Sequence, residues 1–120
     1  MTLLNRESIR DIQDVGIEEV EVPEWGGSVY VRGMTLADMA EHAERQRQLG
    51  ANPSETELAG LLPAIVVRYC VDPAGVRIFQ DEDEAWLRTK SVASLKRIVD
   101  AFNVLNGFDE IQEEDTLQKK

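Results

Sequence analysis

Apolar positions along the chain change their spacing several times, and each change marks an element. Val20 and Val22, then Val29 and Val31, recur at every second residue, the spacing that lines one face of a strand. Gly26-Gly27 between them offers the positive-φ positions of a tight reversal, so residues 18–32 are predicted to form a β-hairpin. Pro23 has no amide donor, which puts its strand at an edge or ends it there. Trp25 then falls near the tip of a two-stranded ribbon with little interior of its own. Its indole is expected either to cover the body or to meet a partner.

Elsewhere the spacing is three and four, as on a helix face. Asn5 can cap a short helix over residues 5–13, with Ile9 and Ile12 on one side. Thr35, with Asp38 three residues on, can cap another. Its stripe of Leu36, Met39, Ala40 and Ala43 fades at Arg45-Gln46-Arg47-Gln48, so the second half is expected to project into solvent. Ser54 with Glu57 starts the main core helix, in which Leu58, Leu61, Leu62, Ile65, Val66 and Tyr69 face inward and Pro63 predicts a kink near Ala59.

Asp72-Pro73-Ala74-Gly75 reads as a turn, with Val71, Val76 and Ile78 as a very short second hairpin. Asp81 and Glu84 have cap spacing for a short helix through about Arg88. Ser91 opens a last helix to Asn106, with Val92, Leu95, Ile98, Val99, Phe102 and Leu105 inward and Gly107 as C-cap. The fold expected is mainly α (α+β): a bundle of about four helices with an N-terminal β-hairpin. Residues 1–108 are read as one domain, and the acidic, apolar-poor residues 109–120 as a disordered tail.

Charge narrows the partners. Acidic residues outnumber basic ones 23 to 13, a formal net charge of −10. The basic residues are scattered, so neither nucleic acid nor an anionic membrane surface is an expected partner. No apolar run approaches membrane-spanning length, and the first residues are too polar for a signal peptide. A cytoplasmic location is expected. Cys70 is the only cysteine, which rules out an internal disulfide, and its place at the end of an apolar run suits a buried thiol.

Enzymatic constellations are missing. His42 is the sole histidine and reads as a surface residue, since its acidic neighbours Glu41 and Glu44 do not sit at positions that meet it. There is no phosphate loop and no two-histidine metal spacing. Asp81-Glu82-Asp83-Glu84 lacks the alternating ligands and internal glycine of a calcium loop, and carboxylates in a first helical turn stabilise the helix dipole without metal. No catalytic residue, metal site or cofactor is assigned. Trp86 and Phe79 read as core. A partner-binding surface remains, for which Trp25, Tyr30, Arg32, Leu36 and Met39 are the candidates: exposed aromatic and aliphatic side chains can anchor an interface.

One string is more specific. Glu21-Val22-Pro23-Glu24-Trp25-Gly26-Gly27, followed by Val29, Val31 and Arg32, resembles the N-terminal signature of tail assembly chaperones from long-tailed bacteriophages. Later elements follow that pattern in order: Tyr69 through Gly75, Phe79 into Asp81-Glu82-Asp83, Leu87 with Lys90-Ser91, and Ile98 through Gly107. The resemblance implies a non-enzymatic protein of the host cell cytoplasm that holds the tape measure protein soluble during tail assembly and is absent from the virion. It also implies a longer form made by ribosomal frameshifting, which recruits tail tube protein; Lys119-Lys120 is a pair that an A-rich slippery sequence can encode. Homo-oligomers are expected, because coating a long client takes many copies. The competing readings are an acidic nucleic-acid mimic, another small acidic adaptor, or a metal-dependent hydrolase built on Asp81, Asp83 and Glu84.

Overall fold

In the computed structural model, residues 2–108 are described; the acidic segment 109–120, expected to be a disordered tail, lies outside the described residues. The chain opens with a short helix, α1 (Arg6–Asp11), fixed locally by Asn5, whose Oδ1 accepts from the Ser8 amide at 2.9 Å. None of its residues is buried. Strands β1 (Ile17–Val22) and β2 (Gly27–Arg32) then pair antiparallel, with Val20 opposite Val29 and Ile17 opposite Arg32.

The reversal between them differs from the tight Gly-Gly turn expected. Pro23–Trp25 form one 3-10 turn, and Gly26 alone adopts a positive φ, 73°, while Gly27 is already paired with Val22. Proline's fixed φ suits the first position of such a turn, so it absorbs three residues before a single left-handed residue reverses the chain. Both expectations for Pro23 hold: β1 ends at Val22 and lies at the sheet edge.

Thr35 caps α2 (Leu36–Arg47) by accepting from the Asp38 amide. Ser54 caps α3 (Glu55–Ala59), which breaks at Gly60 before α4 (Leu61–Tyr69). The expected kinked helix is thus two helices, because Pro63, third residue of α4, cannot donate a bond back across the break. Leu58, expected in the core, is 43% exposed on the short piece. Residues Cys70–Val71 form β3, which pairs with β2 to make a three-stranded antiparallel sheet. The turn after it is tied by the Asp72 carboxylate, which accepts from the Ala74 and Val76 amides, and a bridge joins Val71 to Arg77. A 3-10 turn (Asp81–Asp83) leads into α5 (Glu84–Leu87), and its amino-terminal partner is Gln80, whose amide donates to Asp83. The Asp81–Glu84 cap expected from spacing does not form.

Helix α6 (Val92–Leu105) lies across the sheet and α4. Val22, Val31, Ile65, Val66, Val67, Tyr69, Leu87, Leu95, Ile98, Val99 and Phe102 make the core beneath it. Tyr69 stacks on Phe102 with ring centroids 4.6 Å apart. Val92, expected inward, starts the helix and stays exposed. Asn106 closes the far end: its Oδ1 accepts from the Met34 amide, and its Nδ2 donates to the Phe102 carbonyl. The architecture is α+β with an amino-terminal hairpin, as the spacing predicts. Among the described residues, no helix is long and apolar enough to cross a membrane.

Candidate partner interface

The hairpin has a covered and an open face. Val20, Val22, Val29 and Val31 face α6 and the core, whereas Glu19, Glu21, Ser28 and Tyr30 alternate onto the other side. Trp25 belongs to neither ribbon face. The 3-10 turn swings it against the core, where it is half-buried. One side of the indole still reaches solvent and lines a groove of about 450 Å³ with Phe79, Trp86, Leu87 and Lys90.

Three aromatic side chains line this groove, and sequence reasoning assigned two of its walls to the core. Phe79 is half-buried, but Trp86 is 44% exposed. Trp86 is held from several directions. Its indole Nε1 donates to Asp83 Oδ1 at 2.8 Å, Phe79 meets its ring edge-on at 5.9 Å, and the Lys90 ammonium lies 5.8 Å from its centroid. The Gln80 amide and the Trp86 indole hold Asp83 ionised below the ordinary aspartate value. The sequence did carry a signal: an aspartate three residues before a tryptophan faces it on a helix. Leu87, fully buried, is the floor.

Glu24 stands on the rim. Arg97 Nε donates to both its carboxylate oxygens, at 2.8 and 3.1 Å, and this bond holds Glu24 below the usual glutamate range. Two elements far apart in sequence thus clamp the hairpin tip beside the groove.

The other candidates cluster at the hairpin root. Arg32 donates to Asp38 at 2.8 Å, and its guanidinium lies 4.9 Å over the Tyr69 ring. Burial pulls the Asp38 carboxyl upward, but Arg32 and the Thr35 amide and hydroxyl outweigh it and leave it below the ordinary value. Leu36 is 83% exposed on the first turn of α2, and Met39 is exposed beside it. No residue of α2 is buried. Helix α2 rests on its neighbours through charge, with Arg68 donating to Glu41 and Arg45 to Glu84. The structure therefore brings Arg32, Leu36 and Met39 together, leaves Tyr30 on the open sheet face, and places Trp25 at the opposite end of the hairpin.

His42 is half-buried rather than on the surface. It faces a narrow cleft with Ala64, Ile65, Arg68 and Tyr69, and burial, with Arg45 nearby, depresses its pKa. Burial pushes the Cys70 thiol up to about 12. Asp81 is engaged by Arg77, and no group of three or more potential metal ligands assembles among the described residues.

No family model matches the sequence, and no curated protein is significantly similar to it. A solved structure is similar. The tail assembly chaperone of bacteriophage HK97 matches with a TM-score of 0.59, covering 82% of this chain and 90% of that one, at 15% identity. At that identity the likeness is one of architecture: this chain shares the fold of the HK97 tail assembly chaperone.

Proposed function

We propose that this protein is a phage tail assembly chaperone that binds and solubilises the tape measure protein. The observation that carries the reading is the shared fold across most of both chains, which agrees with the family that the residues suggest. The surface supports a binding protein. It offers a preformed aromatic groove around Trp25 and an uncovered aliphatic stripe at Leu36 and Met39, which together suit an amphipathic client helix. Tyr30 and Arg32 extend the contact across the open sheet face and the hairpin root. A charge of −10 keeps such a complex soluble. The role needs no catalysis and no cofactor. It places the protein in the host cytoplasm during assembly, with tail tube protein recruited through a longer frameshifted form.

Among the described residues, ion pairs tell against a nucleic-acid mimic. Arg32, Arg45, Arg68, Arg77 and Arg97 each neutralise a carboxylate, which interrupts the array of negative charge that such a mimic needs.

Co-expression with the tape measure protein of the same phage tests the proposal. The tape measure protein should move from the insoluble to the soluble fraction and co-purify with this chain. A tape measure protein that stays insoluble at equal expression contradicts it.

A further inference from the structure

Helix α2 is turned inside out. Leu36, Met39, Ala40 and Ala43 share one face of it, at the three- and four-residue steps of an apolar stripe, and all four are exposed. Asp38, His42 and Arg45 share the opposite face, and of the residues of the helix only Asp38 and His42 are even partly covered. That polar face lies over α4, against buried Ala64, Ile65 and Tyr69. A helix held to its body by hydrophobic burial presents the other side. The lack of burial extends past its end. No residue from Thr35 to Gly60 is buried, so α2, the loop after it and α3 form one continuous overlying segment.

Ion pairs fasten this segment. Arg32 of β2 reaches Asp38 at 2.8 Å, Arg68 of α4 reaches Glu41 at 3.0 Å, and Arg45 reaches Glu84 of α5. The three are spaced along α2 at one per turn. Each keeps part of its side chains in solvent, where such pairs contribute little and are screened by salt. The attachments at either end are of another kind. Before the segment, the Met34 amide donates to Asn106 of α6; after it, Leu61 is buried. None of the residues of the core, nor of the side chains packed against it, comes from the segment between.

We infer that residues 35–60 are a strap that opens as a unit on the folded body, hinged at Met34 and Gly60 and fastened by the Arg32–Asp38, Arg68–Glu41 and Arg45–Glu84 pairs. Opening uncovers Ala64, Ile65 and Tyr69 of α4 beside the strap's own apolar stripe, and it separates Arg32 and Arg68 from their carboxylates. The stripe is exposed already and loses no burial on opening, so the free energy required lies below that of global unfolding. This inference goes beyond the chaperone reading and stands without it. If both hold, the open strap and α4 together offer an amphipathic helix more apolar surface than the closed form does.

The test compares two thiols in one molecule. Ala64→Cys places one under the strap, and the native Cys70, fully buried in the core, is the other. Labelling by a maleimide, resolved by peptide mass spectrometry, should modify position 64 at least roughly tenfold faster than Cys70, because local opening reaches only the first. Raising sodium chloride from about 0.02 to about 0.5 M screens the three pairs and should speed labelling at position 64. The same salt relieves the self-repulsion of a chain of net charge −10, so labelling of Cys70 should hold or slow. Glu41→Gln, at an exposed position, should speed labelling at position 64 several-fold and leave Cys70 unchanged. Both thiols labelling at one rate, a rate at position 64 that salt does not raise, or a Glu41→Gln effect shared by both thiols overturns the inference. Should thermal unfolding show Ala64→Cys destabilised, hydrogen exchange on the native chain takes its place. Amides of Met39–Arg47 should then exchange faster as salt rises while those of Ile98–Phe102 do not, and equal responses overturn the inference in the same way.

Discussion

Glu24 and Arg97 are 73 positions apart, and a two-oxygen contact from one guanidinium nitrogen joins them. The pair holds the tip of the hairpin against α6, and with it the turn that carries Trp25. Replacing Arg97 with Ala removes a solvent-facing ion pair, so the melting temperature should move little. The tip should loosen instead. Tryptophan emission is expected to shift to the red and become more accessible to a neutral quencher, with Glu24→Gln giving the same change. Unaltered emission in both variants would mean that core contacts alone seat the indole.

Phe102 carries more weight. It is 1% exposed and stacks on Tyr69, whose other surroundings include the Arg32 guanidinium. Phe102→Ala removes a buried ring at the junction of α4, α6 and the hairpin root, and should cost about 3–5 kcal/mol of stability. Urea unfolding followed by far-ultraviolet dichroism measures this. A loss below about 1 kcal/mol would show that the site is not the centre of the core.

The His42 imidazole should make stability depend on pH near neutrality. Burial between α2 and α4 disfavours its charged form, Arg45 adds to the effect, and the folded pKa lies below the ordinary 6.5. As pH falls through that value the unfolded chain binds a proton first, so stability present above 6.5 is lost as pH approaches the folded pKa. The charged and titratable side chains around the cleft are Glu41, Arg45, Arg68 and Tyr69. The unfolding midpoint should therefore begin to decline as pH falls through 6.5. His42→Gln should flatten that decline, and an equally steep one in the variant would assign it to other groups.

Cys70 gives a probe of opening. Fully buried, with its thiol pushed up to about 12, it should not react with a disulfide reagent at about pH 8 in the native state. Its labelling rate should rise with denaturant in step with unfolding. Fast labelling of the native protein would contradict the burial.

Periodic elements were legible in the sequence. Helices α1, α2, α3 and α6 begin at the caps that Asn5, Thr35, Ser54 and Ser91 mark, and the valine alternation fixes which hairpin face meets the core. Turn chemistry was less so. A Gly-Gly pair suggests a two-residue turn, but a preceding proline redirected the reversal and turned Trp25 from the ribbon onto the body. The third strand is only two residues long and exists because β2 offers it a partner, information that no local window holds. Leu36 and Met39 were recognisable because an apolar stripe on a short, charge-rich helix is easy to see. Trp86 was not, because an aromatic next to leucine reads as core, and only tertiary placement shows its free face.

The central claim is that the groove beside Trp25 grips another chain. The direct measurement is the dissociation constant for a soluble segment of the tape measure protein, read from tryptophan emission in the native chain and by calorimetry in Trp25→Ala and Trp86→Ala. Thermal unfolding checks that both variants are folded. Loss of an interface anchor costs about 2 kcal/mol or more, so each substitution should weaken binding roughly thirtyfold. Affinity unchanged in both folded variants would contradict the account.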